Sequence, residues 1–536
     1  MSTSSDIRMR IENLKVRLSE TGEEILKGVS LELRAGKIFA LVGESGSGKS
    51  VTSLAAMRLL PEALHITEGA VKVGEQDLFD LPEARMQNVR GRQVAMIFQN
   101  AMSALNPVQT VGQQVAETLK LHTTLRGDSL RQRVVQLFAE VGIPDPGGRF
   151  SFYPHQLSGG QQQRIMIAMA LACEPDILIA DEPTTALDVT IQEQVLKLIR
   201  ELTRSRQLAV LLITHDMGVV RNTADEVAVM YQGNIIERAG VEEFFHNPRE
   251  EYSKRLIDAL PDLTHFQSVA VEEPLLQLDE VKVYFPIRKG VLQRVVDYTR
   301  AVDGVSLAIG RGETYALVGE SGSGKSTLGR AILNLETVSG GNIRFKGDAI
   351  GSLARREMLP YRKLIQVIFQ NPFSSMNPRM TVGDIIAEGM VSLGLGLTAS
   401  EQEERIGQLL DKVQLRREYS QRYPHEFSGG QLQRIAIARA LAVEPELIIC
   451  DEPTSALDVS IRAEVLGLLQ ELQREFGVSY LFITHDLSIV PSLAHHVGVM
   501  QEGKLVEQGS AEQILTAPQH PYTQALLNSV PRLDPE

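Results

Sequence analysis

The ten residues LVGESGSGKS stand at 41–50 and recur unchanged at 317–326. Each copy follows a short apolar run, Lys37–Val42 or Thr314–Val318, and precedes apolar residues at helical spacing, Ser50–Leu60 or Ser326–Leu335. That is the pattern of a buried strand, a tight loop and a helix. Working outward, the same landmarks return in the same order: FQN at 98–100 and 369–371, SGGQ at 158–161 and 428–431, DEPT at 181–184 and 451–454, ITHD at 213–216 and 483–486. The offset between copies is 276 at the Gly-rich stretch, 271 at FQN and 270 from SGGQ onward, so the second copy is shortened mainly between its loop and FQN. Two long copies mean two fused domains rather than a solenoid. The sequence places a first domain at 1–262 with a short C-terminal extension, a linker at 263–275 and a second domain at 276–536. The boundary falls in the acidic, proline-bounded stretch Pro261–Pro274, which shows no periodicity.

Further apolar runs, Asp176–Ala180 and Glu446–Cys450, lead into acids, while Leu208–Ile213 and Ser479–Ile483 lead into Thr-His-Asp. Strands alternating with helices, with polar residues gathered at strand C-termini, predict an α/β domain on a largely parallel sheet.

Composition narrows the function classes. The 536 residues carry 54 basic and 67 acidic side chains, a net charge of −13, which argues against a nucleic-acid partner. Two cysteines cannot build a disulfide framework, a zinc ribbon or an iron–sulfur ligand set. The N-terminus has no apolar segment of the kind a signal peptide needs. No apolar stretch approaches the roughly 18–20 residues of a spanning helix. If the protein works at a membrane, another chain is expected to span it.

The chemistry of the repeated motifs is that of phosphate. GESGSGKS satisfies G-x-x-x-x-G-K-[ST] twice. Gly43, Ser45, Gly46 and Gly48, and their counterparts Gly319, Ser321, Gly322 and Gly324, let the backbone wrap closely around phosphates. The helix N-terminus behind them adds N–H donors. Lys49 and Lys325 would reach the terminal phosphates, and Ser50 and Ser326 would offer a hydroxyl to magnesium. Asp181 and Asp451 would hold that ion through water, leaving Glu182 and Glu452 to polarise an attacking water.

In this order, a Gly-rich phosphate loop, a glutamine after Phe, SGGQ, an Asp-Glu pair, ALD and a loop histidine resemble the ATPase domain of ATP-binding cassette proteins, over essentially the whole chain. The resemblance implies two P-loop nucleotide-binding domains in tandem, each with a RecA-like core, a β-rich part and an α-helical signature subdomain, closing face to face on two ATP molecules. One site would join Lys49, Asp181, Glu182 and His215 with Ser428, Gly430 and Gln431. The other would join Lys325, Asp451, Glu452 and His485 with Ser158, Gly160 and Gln161. The signature residues open the predicted helices Gln161–Cys173 and Gln431–Val443, a second anion-binding terminus for the γ-phosphate. By the same resemblance His215 and His485 hold the γ-phosphate, Gln99 and Gln370 sense magnesium and the attacking water, and Asp188 and Asp458 face the other domain. Both sites keep every catalytic residue, so both are expected to hydrolyse ATP. Cassettes stack adenine on an aromatic near the first strand; Phe285 fits that position in the second half, whereas Leu18 occupies it in the first.

Finer resemblance points to transport. A soluble tandem cassette acting in translation would carry a long charged linker, and a repair ATPase would carry large insertions; neither is present. DEPTTALDVTIQ, DEPTSALDVSIR, YPHQLSGG and YPHEFSGG look like the peptide and nickel importer branch, as does the tail APQHPYTQALLNSVP at 517–531, with a weaker copy HNPREEYSKRLIDALP at 246–261. Both tails read as a proline- and tyrosine-bearing turn entering an amphipathic helix, a packing element. Relatives place an iron–sulfur centre here; with only Cys173 and Cys450, neither in the extension, none is expected. The fused halves and the insertion FPIRKGVLQRVVDYTRAV at 285–302, read as a solvated basic loop, resemble the ATPase of Yej-type importers of oligopeptides and peptide–nucleotide conjugates. The fused ATPase of a glutathione or nickel-type importer is the alternative. Implied partners are two integral-membrane permeases, docking near Phe98–Pro107 and Phe369–Pro378 with Met102 and Phe373 in the contact, and a periplasmic binding protein. The implied location is the cytoplasmic face of a bacterial inner membrane.

Overall fold

The computed structural model describes residues 6–99, 104–184, 189–258, 266, 273–289, 294–455, 457 and 459–528. Met102, Asp188 and Asp458 lie outside them, as does most of the stretch read as linker. The chain divides into two units, Met1–Leu260 and Pro261–Val530.

In the first unit a six-stranded sheet runs in the order 234–240, 226–231, 38–42, 209–213, 177–181, 94–97. Its strands are parallel except for the pair 226–231 and 234–240, joined by a tight antiparallel turn. Ile38–Val42, Ile177–Asp181 and Ala209–Ile213 are buried throughout, as expected of central strands covered on both faces. The second unit repeats this order with 504–510, 496–501, 314–318, 479–484, 447–451 and 365–368. The predicted strands are therefore present to within one residue at each end, and Asp181 and Asp451 are the last residues of their strands rather than the first beyond them.

A four-stranded antiparallel sheet packs beside each core sheet, and three helices form a separate lobe: Val111–His122, Gly127–Glu140 and Gly159–Leu171 in the first unit, Val382–Ser392, Ala399–Lys412 and Gly429–Leu441 in the second. The signature helices start two residues earlier than the sequence predicts, at Gly159 and Gly429, which makes Ser158 and Ser428 their N-caps. The lobe joins the sheet through apolar side chains such as Ile165, Ile167 and Phe138, each fully buried in one cluster with Ile97 and Leu178.

Residues 285–289 and 294–302 of the insertion are strand rather than loop. Pro274–Lys289 and Arg294–Gly310 are antiparallel strands that remain paired as far as Lys289 and Arg294. In the first unit the equivalent strand Ile7–Leu18 is flanked to its end, Leu18 facing Leu64 on a third strand. In the second that third strand starts only at Gly340, opposite Lys282, so the ribbon beyond Tyr284 has one open edge and no sheet behind it. The shortening between the Gly-rich loop and FQN thus removes the neighbour that would have covered it. Pro274 and Leu275, read as linker, open the first of these strands.

Candidate nucleotide site

Each Gly-rich loop leaves the C-terminal end of a central strand and enters a helix, Lys49–Ala56 or Lys325–Ile332. Gly43 and Gly319 have φ of 149°, and a Cβ there would stand 2.2 and 2.1 Å from the carbonyl oxygens of Met230 and Met500. Only glycine fits so close to a neighbouring backbone. Gly48 and Gly324, φ 107° and 103°, cap the helices in the left-handed region. Gly46 and Gly322, with φ of 79°, have open space where a side chain would project, so the loop's concave face is clear.

Lys49 is 5% exposed; its ammonium donates to the carbonyls of Gly43 and Glu44 at 2.7 and 2.8 Å. Lys325 does the same with Gly319 and Glu320 at 2.7 Å each. An ammonium has three N–H donors, so this one, folded over its own loop's carbonyls, can keep them and still turn a donor to phosphate oxygens. Ser45 and Ser321 stand exposed on the same loops.

At the next strand Ser50 donates to Asp181 at 3.1 Å and Ser326 to Asp451 at 2.7 Å. Burial pushes both carboxyls above the ordinary range, and the adjacent Glu adds to the effect. A bound dication would reverse that strain. The pair of hydroxyl and carboxylate suits a hard, oxygen-seeking ion. Among the described residues no three His, Cys, Asp or Glu converge, so magnesium would draw its other ligands from phosphate and water.

The glutamates that follow are held in the left-handed region, φ 46° at Glu182 and 49° at Glu452, an uncommon conformation for a non-glycine residue. Two side chains converge on each. Gln99 donates to Glu182 at 2.7 Å, and His215 Nδ1 lies 3.0 Å from its other oxygen. Gln370 and His485 repeat this on Glu452 at 2.8 and 3.1 Å. Burial would raise Glu452, but the hydrogen bond and charge of His485 outweigh it and hold the carboxyl below its ordinary value. Burial likewise works against the His485 imidazolium, and Glu452 more than compensates. The second-half pair therefore favours carboxylate and imidazolium. Gln99 and Gln370, expected to sense magnesium, are seen here bonded to the glutamates.

Ser158 accepts from Gln161 N–H at 3.3 Å while Gln161 accepts from Ser158 N–H at 3.3 Å, a reciprocal cap repeated at Ser428 and Gln431. Gly160 and Gly430 are packing positions: a Cβ would come within 2.5 Å of Ile191 or Ile461. Phe285 pairs in register with Thr299, and Leu18 occupies the matching place at the end of its strand. Phe285 is 39% exposed, so it is not a core residue and its face is open to a ring.

Two tyrosines that the motifs did not flag touch the loops. Glu44 N–H donates to Tyr252 Oη, and Glu320 N–H to Tyr522 Oη, both at 3.1 Å. The contacts span 208 and 202 residues, and nothing local in the sequence announces them.

The description "ABC transporter" matches residues 26–185 and 302–455, and "Oligopeptide/dipeptide transporter, C-terminal region" matches 236–279 and 506–536. The chain is 46% identical over 98% of its length to a peptidoglycan transport ATP-binding protein YejF of Agrobacterium fabrum, covering 96% of that protein. It is 45% identical over 98% of its length to a glutathione import ATP-binding protein GsiA of Escherichia coli O157:H7, covering 90% of that protein. A solved cassette, cbiO1 of Clostridium perfringens, aligns with 46% of this chain and 92% of its own at 30% identity and a TM-score of 0.40. The chain belongs to the ABC transporter family, as a fused ATPase with two cassettes, each followed by the oligopeptide/dipeptide transporter C-terminal region.

Proposed function

We propose that this ATPase powers uptake of oligopeptides or peptide conjugates through two separate membrane-spanning permeases, fed by a periplasmic binding protein. One observation carries the reading. Lysine, serine, aspartate, glutamate, glutamine and histidine meet around each loop with matching contacts in both units. The oligopeptide/dipeptide extension follows each cassette. Lys49 and Lys325 would bind phosphate, while Ser50 with Asp181 and Ser326 with Asp451 would hold magnesium. Glu182 and Glu452 would accept the proton of the attacking water, oriented by His215 and His485. The signature residues of each half would complete the other half's site, so that ATP draws the halves together. Phe373, 49% exposed beside Gln370, offers an apolar contact to a permease segment.

No helix among the described residues is long and apolar enough to cross a membrane; the importer ATPase relatives support a place on the inner face of the membrane. The oligopeptide/dipeptide extension supports peptides as the cargo; one relative is named for peptidoglycan transport and another for import of glutathione, a small peptide thiol. The test is affinity purification of the full chain from membranes, followed by ATPase assays with candidate peptides and the binding protein. Co-purified permeases and peptide-stimulated turnover are expected. Turnover that follows ribosomes and ignores permeases would replace this reading.

A further inference from the structure

The oligopeptide-type extension does more than pack against its cassette. Glu237, 6% exposed on strand Asn234–Gly240, accepts from the backbone N–H groups of Arg249 and Glu250 at 2.9 and 3.1 Å. This fixes the start of helix Glu251–Asp258. Glu507 does the same for Gln519 and His520 at 2.7 and 3.1 Å, ahead of helix Pro521–Asn528. From the first turn of each helix a tyrosine, Tyr252 or Tyr522, reaches the phosphate loop.

The peptide unit it meets is the one the lysine uses. In the Gly43–Glu44 peptide the carbonyl accepts from Lys49 Nζ at 2.7 Å and the N–H donates to Tyr252 Oη at 3.1 Å. In Gly319–Glu320 the same two bonds run to Lys325 and Tyr522, at 2.7 and 3.1 Å. A peptide plane held at both ends cannot rotate without breaking one of them. The tyrosine therefore sets where the lysine's carbonyl partner points. Tyr252 is 7% exposed and packs against Tyr231 with ring centroids 4.4 Å apart and planes tilted by 40°, so its ring is held by packing.

We propose that Tyr252 and Tyr522 are positioning residues for ATP: each hydroxyl locks the first peptide of its phosphate loop, and through it the phosphate-binding lysine. The extension thereby becomes a strut anchored on a carboxylate, buried at Glu237 and half-buried at Glu507, and ending on the loop. The inference rests on the reading of these loops as ATP sites.

The test uses the full chain with Tyr252→Phe, Tyr522→Phe and the double variant, which keep both rings and remove only the hydroxyls. Steady-state ATPase gives KM and kcat, a fluorescent ATP analogue gives equilibrium affinity, and thermal melting reports the fold. Loss of the loop N–H bond in each unit predicts a KM for MgATP raised about threefold to tenfold in the double variant, with kcat within about twofold. The melting temperature should fall by no more than about 5 °C, the scale of one such bond in each unit. Glu237→Gln, which weakens the anchor and leaves the hydroxyl, should raise KM in the same direction by less. An unchanged KM and affinity in the double variant overturn the proposal, as does a fall in melting temperature with no change in KM. A parent chain that neither binds nor hydrolyses ATP would instead overturn the functional reading itself.

Discussion

Single residues separate the two halves where their motifs do not. In the first unit Asp225 accepts from Ile38 N–H at 2.9 Å and pairs with Lys37 at 2.7 Å. In the second unit the corresponding acceptor is a histidine: Thr314 N–H donates to His495 Nδ1 at 2.9 Å, and Glu313 stands where Lys37 stood. His495 is 6% exposed. Nδ1 can accept that bond only while it carries no proton. Burial, the larger influence, pushes the imidazole below its ordinary value, while Glu313 opposes it. A histidine lowered by folding contributes stability that is complete above its unfolded value and is lost as pH falls through the folded one. The second unit should therefore weaken as pH falls below the ordinary histidine range of about 6.5, by a contribution that its twin lacks. His495→Asn keeps an acceptor in place of Nδ1 and cannot titrate. Calorimetric melts at pH 7.5 and 5.5 should show a smaller acid loss for His495→Asn than for the parent; an equal loss would refute the assignment.

At the level of elements, what could be read from sequence was whatever is local and repeated. The phosphate loop, the strand before it and the helix after it are contiguous, and the acids at strand ends follow apolar runs that only a buried strand explains. The ribbon 285–302 was misread as loop because it buries neither face. Arg288, Arg294 and Arg300 mix with Ile287, Val295, Val296 and Tyr298, all exposed, so no alternation marks a strand. Its pairing comes from the hairpin partner alone. The tyrosine contacts escaped for the opposite reason, being well ordered but distant in sequence. The first copy, NPREEY, also lacks the PY pair of the second. A ribbon without a buried face should be dispensable to the fold. Replacing residues 287–297 by Asn-Gly, a turn suited to a two-residue hairpin that keeps Pro286 opposite Tyr298, should leave the melting temperature within about 2 °C of the parent. A loss above about 2 kcal/mol, the scale of removing a buried apolar side chain, would show that the ribbon leans on the cassette after all.

For the whole molecule the question is whether two cassettes on one chain work as one engine or two. Their chemistry is matched: glutamine to glutamate at 2.7 and 2.8 Å, histidine to glutamate at 3.0 and 3.1 Å, lysine to loop carbonyl at 2.7 Å in both. The differences lie at the edges, in Leu18 against Phe285 and in the extra Ser53 hydroxyl, 3.4 Å from Asp181, where the second half has Gly329. None of these removes a proton acceptor. Glu182→Gln and Glu452→Gln made separately therefore test the whole arrangement. A general base contributes about 10²- to 10⁴-fold at its own site, so each substitution silences one site. If the sites cycled independently, each variant would keep about half of the parent turnover. If each site is completed by the other half, a halted site holds the halves closed and stalls its partner. The expected steady-state rate is then below about a tenth of the parent for either variant, with ATP still bound. Retention of half in both would separate the sites, and an unaffected rate in one would make the chain asymmetric despite its matched geometry.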